Sequence, residues 1–371
     1  MTRFWVGGYG PDGDGSADGI GLLAGDEGRA PTTLAYRGAV VPAPSPSWLA
    51  AHPTLDVVYA ALEGSGEVAA FARSGESALT TLGSPRAAGA AVCHLAVSPD
   101  GRFLVASSYG DGRVQRIALG ADGALAPGTP DRAAELRAAL FGDAGDARTS
   151  DGAEASDPYA ADPNRLDPNG DPRASHAHAA AFLPDGRIAT TDLGYDLVRI
   201  WRPAAAGLTL DHEVVLPRGS GPRHLVMHPS GHLHVVTEYS CEVFTLAADR
   251  EGRWGLIAGT PVSAIATPGH DYPAELSRSR DGETLYAGIR GSDTVAALRV
   301  RGSGERVEPL AIADTGVVWP RHHLVHEGQL LVAGQRSDEI SVLDLDERTG
   351  IPGRVRHRAP APSPTHLLAV R

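Results

Sequence analysis

Short apolar runs, alternating with polar residues and closed by turn signals, recur along most of the chain. In GPRHLVMHPSGHLHVVTEYS, Gly221 to Ser240, Leu225 and Met227 precede the turn Pro229-Ser230-Gly231, and Leu233 and Val235 follow it. A period-2 pattern around a glycine turn predicts a β-hairpin. That hairpin has siblings. PSWLAAHPTLDVVYAALEGSGEVAAFA starts at Pro46, VCHLAVSPDGRFLVASSYGDGRVQRIAL at Val92 and HAHAAAFLPDGRIATTDLGYDLVRIW at His176. PRHLVMHPSGHLHVVTEYSCEVFTL, YPAELSRSRDGETLYAGIRGSDTVAAL and PRHHLVHEGQLLVAGQRSDEISVLDL bring the set to six, starting near residues 46, 92, 176, 222, 272 and 320. Successive units lie 46 to 50 residues apart, except for one step of 84. A repeat of about 40–50 residues is the length of a propeller blade.

Each unit reads strand, turn, strand, Gly/Asp turn, strand, then a weaker fourth strand such as LTLDHEVVLP or RVEPLAIAD. Four antiparallel strands make one blade. The chain ends supply a seventh: residues 4–9, FWVGGY, read as a second strand without a first, and residues 365–370, THLLAV, as a first strand with no successor. Pairing them closes the ring and removes the exposed edges. The expected fold is therefore all-β, a seven-bladed β-propeller forming a single domain over 1–371. The long step holds one irregular insertion at about 131–175. There DRAAELRAALFG predicts a short helix, and the Asp-, Ala- and Pro-rich remainder predicts a large loop over the same face as Arg223. The run Asp162, Asn164, Asp167, Asn169, Asp171 departs from EF-hand order, so no metal is expected from it.

Composition narrows the class. All 33 basic residues are Arg, planar forks suited to carboxylate or phosphate, yet the net charge is -12. That balance argues against nucleic acid or an anionic membrane as partner. Two cysteines, Cys93 and Cys241, build no disulfide framework and suggest a reducing compartment. MTRFWVGGYG lacks a signal-peptide apolar region and no apolar run spans a bilayer, so a cytoplasmic location is expected.

The polar residues gather at one end of the hairpins. Residues equidistant from an antiparallel turn face one another, which pairs Arg223 with Glu238. The same offset pairs His178 with Leu193 and its neighbour Asp192, Cys93 with Tyr109, Ala274 with Arg290, and Arg321 with Gln335. First strands line a propeller's channel, so His176, His178, Asp192, Tyr109, Arg223, His224, Glu238, Arg290, Arg321, His322 and Gln335 should converge at one mouth. Inter-blade salt bridges would explain any one of them. They do not explain Arg and His in four successive units at one mouth, with ordinary turns (SPDG, LPDG, HPSG, SRDG) at the other. Burying several Arg together is costly unless an anion joins them.

GSGPRHLVMHPSG, HAHAAAFLPDG, DLGYDLVRIW, GQRSDEISVLDLDERTG and the two ends VGGYG and PTHLLAV resemble the seven-bladed lactonase family. That family includes propeller-type 6-phosphogluconolactonases and 3-carboxymuconate cyclases. The resemblance covers nearly the whole chain outside 131–175 and implies a catalytic set of His178, Arg223, Glu238 and Arg290. His176, Tyr109, Asp192, His224, Arg321 and Gln335 are the expected substrate-binding residues. Two departures bear on substrate choice: the long acidic insertion before HAHAA, and AVCHLAV where a Pro-containing start is usual.

The expected reaction is hydrolysis of a sugar-type lactone by water, without metal, cofactor or covalent intermediate. Arg forks would hold the anion, Glu238 beside Arg223 would act as base, and His178, titrating near neutrality, as acid or base. No G-x-S-x-G elbow is present, and HAH has no Cys or H-E-x-x-H companion for zinc. A 3-carboxymuconate-type cycloisomerase is the alternative, and a non-enzymatic binding module the third reading. The expected partner is a small anionic or lactone substrate.

Overall fold

The computed structural model describes residues 2–25, 34–127, 173–205 and 207–370. Its hairpins are set where the sequence puts glycine after Asp or Ser: Gly101, Gly186, Gly231 and Gly282 have φ of 69, 84, 94 and 80°, in the left-handed region. Around these turns the strands form seven antiparallel sheets. Six begin at Pro46, Val92, Ala177, Pro222, Tyr272 and Pro320, at or within one residue of the repeat starts. The sheet starting at Val92 shows three strands among the described residues, Val92–Val97, Phe103–Ser108 and Val114–Ala118. The insertion at 131–175, its predicted helix and the Asp162–Asp171 run lie outside the described residues, apart from its last three positions.

The seventh blade joins the two ends of the chain. Pro364–Ala369 pairs with Arg3–Gly8, followed by Gly19–Gly25 and Leu34–Pro42. The register runs Phe4 to Ala369, Trp5 to Leu368, Val6 to Leu367, Gly7 to His366 and Gly8 to Pro364. The innermost strands touch in order around a circle, and Pro364–Ala369 against Pro46–Ala51 completes it. Apolar packing lies between blades rather than in one central core. One cluster joins Phe4, Val6 and Leu367 of the closing blade to Leu331, Ile340 and Val342 of the blade before it. Another joins Leu183, Val198 and Ile200 to Val235, Phe244 and Leu246. Seven such layers seal the seven seams, and each fully buried Leu, Ile or Val contributes about 1.5–3 kcal/mol.

One irregularity repeats in all seven blades. The ladder between first and second strand slips by one residue near its start. Pro222 pairs with Thr237 but His224 with Val236, leaving Arg223 unopposed. The same slip falls at Ser47, Cys93, Arg321 and Thr365, and within His178–Ala179 and Ala274–Glu275. A β-bulge leaves its extra residue out of the ladder and re-aims the side chain. This corrects the direct Arg223–Glu238 pairing expected from counting back from the turn: the two residues meet, but from a bulge and a strand end. His176 lies just ahead of the strand Ala177–Phe182, and His178 sits in its bulge.

Candidate active site

The bulges aim side chains at the channel axis. Ser47, Cys93, His178, Arg223, Arg321 and Thr365, all bulge residues, line one pocket together with Trp48, His224 and Glu63. Its free volume is only about 10 Å³, roughly the space one water needs. Several buried polar atoms around it have no protein partner: His178 Nδ1, Arg223 Nη1, Glu63 Oε2 and Ser47 Oγ. Buried polar atoms are nearly always satisfied, so four orphans at one spot make it the candidate binding site. A larger concavity of about 470 Å³, between outer strands near Asp314 and Arg358, lies away from all of these groups.

Two ionic clusters flank the pocket. In the first, Glu238 Oε2 is 2.9 Å from Arg223 Nε and 2.8 Å from Arg290 Nη2. Arg290 Nε also donates to the Tyr272 carbonyl at 3.0 Å, which fixes its plane. Arg223 is 3% exposed and Glu238 17%, so the carboxylate is the part of the pair that reaches the mouth. Burial pushes the Glu238 carboxyl up, but Arg290 and Arg223 pull it further down, to below its ordinary value. Burial, with Arg290 close by, lowers Arg223 to about 10, still charged at neutral pH. In the second cluster, Arg321 Nη2 donates to the Tyr9 hydroxyl at 2.6 Å, and Tyr9 donates to Glu63 Oε1 at 2.9 Å. Arg321 Nη1 donates to Gln335 Oε1 at 3.4 Å.

Beneath the mouth the channel is packed with imidazoles. The His178 and His224 rings lie 5.0 Å apart, His322 and His366 4.1 Å, and Trp48 sits 4.3 Å from His94 and 4.0 Å from His366. Burial first, then neighbouring Arg and His charges, holds His178 and His224 well below the usual histidine range. This corrects the expectation that His178 titrates near neutrality: it is a neutral imidazole at pH 7 and can accept a proton or hydrogen bond, but it is not a standing acid. With these rings neutral, Arg223, Arg290 and Arg321 outnumber Glu238 and Glu63 at the rim. Glu275, whose Oε2 lies 2.8 Å from His224 Nδ1, is itself raised by burial. The balance favours an anionic ligand.

Neutral buried histidines also set the acid stability of the fold. Burial depresses His323 to about 4 and His234 to about 3, and His94, His178, His224, His322 and His366 shift the same way. The unfolded chain binds protons at these sites first, so their contribution is whole above about pH 6.5 and is lost as pH falls below it. Each group still neutral in the folded state then costs about 1.4 kcal/mol per pH unit. Urea unfolding midpoints should fall steeply between pH 7 and pH 5; equal midpoints would show that the channel histidines are not neutral when folded.

The expected site residues fall into three groups. His178, Arg223, His224 and Arg321 line the pocket, and Glu238, Arg290 and Gln335 reach it through the arginines. His176 and Tyr109 form a stacked pair, rings 4.4 Å apart at 13°, with His176 Nδ1 donating to the Tyr109 carbonyl at 2.7 Å. Asp192 is a correction. It is fully buried, accepts from Ser175 Oγ and the His176 and Tyr195 amides, and pairs with Arg199. Those bonds engage each of its oxygens twice and anchor the loop ahead of His178, so its acceptor capacity is spent inside the fold rather than at the pocket. Cys93 lines the pocket, but burial pushes its thiol up to about 12, which leaves it un-ionised and a poor nucleophile. Among the described residues no group of three or more His, Cys, Asp or Glu is placed to hold a metal ion, and no helix is long and apolar enough to cross a membrane.

Tyr9, Glu63, Trp48 and Glu275 were not singled out from the sequence. The signal for one of them was present. The offset that pairs Arg223 with Glu238 also pairs Ser47 with Glu63, once the first unit is counted like the others.

Comparison with known proteins agrees with this architecture. Residues 3–369 match the family model described as Lactonase, 7-bladed beta-propeller. The uncharacterized protein YwcC of Lactococcus lactis is 28% identical over 301 residues, covering 78% of each chain. A protein named 6-phosphogluconolactonase from Bacillus subtilis is 25% identical over 318 residues, covering 82% of each. The solved periplasmic gluconolactonase PpgL of Pseudomonas aeruginosa superposes with a TM-score of 0.79 at 22% identity, covering 100% of this chain and 99% of its own.

Proposed function

The chain belongs to the seven-bladed β-propeller lactonase family, and from that premise we propose that it hydrolyses a sugar-type lactone carrying negative charge, as a 6-phosphogluconolactone does. The observation that carries this reading is the meeting of three guanidinium groups, an ionised carboxylate and a neutral imidazole around one pocket with unsatisfied polar atoms. The enclosed space is too small for a sugar ring, so the lactone seats across the mouth with its carbonyl toward Arg223. Water attacks that carbonyl, and its proton passes to Glu238. Arg223 Nη1 meets the developing oxyanion, and such a donor is worth about 10²–10³ in kcat. The C–O bond of the ring then breaks, and the departing alkoxide takes the proton from Glu238. The product acid ionises and releases one proton per turnover. His178 accepts a hydrogen bond through Nδ1 and holds the water or a substrate hydroxyl. Proton release on a panel of aldonolactones, phosphorylated and not, tests the reading directly. No release above the uncatalysed rate from any of them would remove it.

The same groups could serve a 3-carboxymuconate-type cycloisomerase, and three arginines at one mouth favour a polycarboxylate. Loss of the ultraviolet absorbance of carboxymuconate is the assay that separates the two. Where the substrate is phosphorylated, we assign its phosphate to Arg336. It is exposed at the rim and stacks 3.6 Å over Trp319, whose ring also lies 5.3 Å from the Arg290 guanidinium. Arg336→Ala should raise KM for the phosphorylated lactone about three- to tenfold relative to KM for its unphosphorylated counterpart. Equal KM changes for the two would exclude this role. Both cysteines are buried and free, which fits a reducing compartment, and we place the reaction in the cytoplasm.

A further inference from the structure

We propose that Glu63 makes the site selective for polyhydroxylated lactones, its Oε2 accepting a hydrogen bond from a substrate hydroxyl. The proposal rests on the lactone reading above and adds the part of the substrate that the reading leaves open. Glu63 is the one carboxylate among the pocket-lining residues, and it comes from the end of a second strand, Val57–Leu62. Its other oxygen is already engaged, since Tyr9 donates to Oε1 at 2.9 Å. Tyr9 in turn is held from two directions by Arg321, whose Nη2 donates to the hydroxyl at 2.6 Å and whose guanidinium carbon lies 4.9 Å from the ring centre. The relay spans three blades, with Arg321 in one, Tyr9 in the closing blade and Glu63 in the next. It fixes the carboxylate while leaving Oε2 buried and without a donor.

A buried carboxylate oxygen lacking a donor is costly, and a ligand that supplies the donor recovers that cost. The ligand group must therefore carry a proton to give. A hydroxyl does. The carboxylates of a muconate-type substrate offer only acceptors and negative charge, which Glu63 repels. The rim thus divides its tasks: Arg223, Arg290 and Arg321 attract the anionic part of a ligand, and Glu63 demands a hydroxyl beside it. Sites built to bond a hydroxyl discriminate strongly against analogues that lack it, because the buried partner is left unpaired.

The test compares D-glucono-δ-lactone with δ-valerolactone, which has the ring but no hydroxyls. The quantity read is the ratio of their kcat/KM values in wild type, Glu63→Gln and Tyr9→Phe. A hydrogen bond to a charged acceptor is worth about 10- to 150-fold, so Glu63→Gln should lower the ratio at least tenfold. Tyr9→Phe, which only loosens the carboxylate, should lower it by less and in the same direction. An unchanged ratio in both variants overturns the proposal. Calorimetric binding of gluconate against 5-hydroxyvalerate separates this inference from the lactonase reading. If wild type turns over no lactone of the phosphorylated and unphosphorylated panel above, the hydrolase reading fails; the role of Glu63 then stands only if gluconate binds more tightly and Glu63→Gln narrows the gap. Failure of gluconate to bind wild type overturns it.

Discussion

Glu238→Gln lowers kcat for lactone hydrolysis by about 10²–10⁴, the usual worth of a positioned general base, with KM no higher than in wild type. The substitution keeps size and a hydrogen-bonding oxygen, so Arg223 and Arg290 retain a partner at the position where they now meet Oε2, at 2.9 and 2.8 Å. What disappears is the capacity to take a proton from water. It also removes one negative charge from the rim, which strengthens attraction for an anion, and this is why KM should not rise. The split between kcat and KM separates a base from a structural clamp, since a clamp whose loss loosens both arginines would raise KM. Burial pushes the wild-type carboxyl up, but Arg290 and Arg223 hold it below its ordinary value. The base form therefore persists as pH falls, and the acid limb of kcat/KM should lie below about 4.5 in initial-rate measurements completed before acid unfolding. A Glu238→Gln enzyme with kcat within threefold of wild type would dismiss Glu238 as the base.

Truncation before Pro364 abolishes cooperative folding. The deleted strand supplies every ladder partner of Arg3–Gly8 on its axial side and places Leu367, 1% exposed, in the seam with Leu331 and Val342. Leu367→Ala alone should cost about 2–5 kcal/mol, against a net stability of roughly 5–15 kcal/mol for a typical fold. Loss of the whole strand adds the ladder bonds, the packing of Leu368 against the next seam and an open edge on Arg3–Gly8. The truncated chain is expected to lack a sharp thermal transition by circular dichroism and to aggregate. Val318→Ala, at a side chain already 47% exposed, is the control and should melt like wild type. A truncated protein melting within about 2 °C of the full chain would show that the ring is not held by its termini.

The fold was legible because each blade repeats a local code. Apolar alternation, a glycine in the left-handed region at the turn and a spacing near one blade length all act over short stretches, so six strand starts and the pairing of the two ends follow from reading alone. Arg223, Glu238, Arg290 and Arg321 were legible for a similar reason: strand ends in every unit come to one mouth. The site reading failed where burial and hydrogen bonds formed only in the fold consumed or neutralised a side chain. Asp192 has the right residue type and position, yet Arg199, Ser175 and two backbone amides consume it inside the fold. His178 has an ordinary imidazole, and only its burial beside Arg223 and His224 removes its proton. Glu63 looks like a strand-end acid until Tyr9, distant in sequence and itself held by Arg321, binds one of its oxygens and leaves the other bare.

Sequence by itself determined the strand pattern, the number of blades, the closure of the ring and the kinds of charge carried to its rim, because these depend on periodicity and on chain order. Tertiary structure decided which charges face the axis and in what ionisation state. The one-residue bulge at the head of every inner strand turns Arg223, His178 and Cys93 toward the pocket. The field inside a closed channel is a sum over all seven blades. Neither a slip in a hydrogen-bond ladder nor such a sum can be read from one segment, because each is set by atoms the segment does not contain.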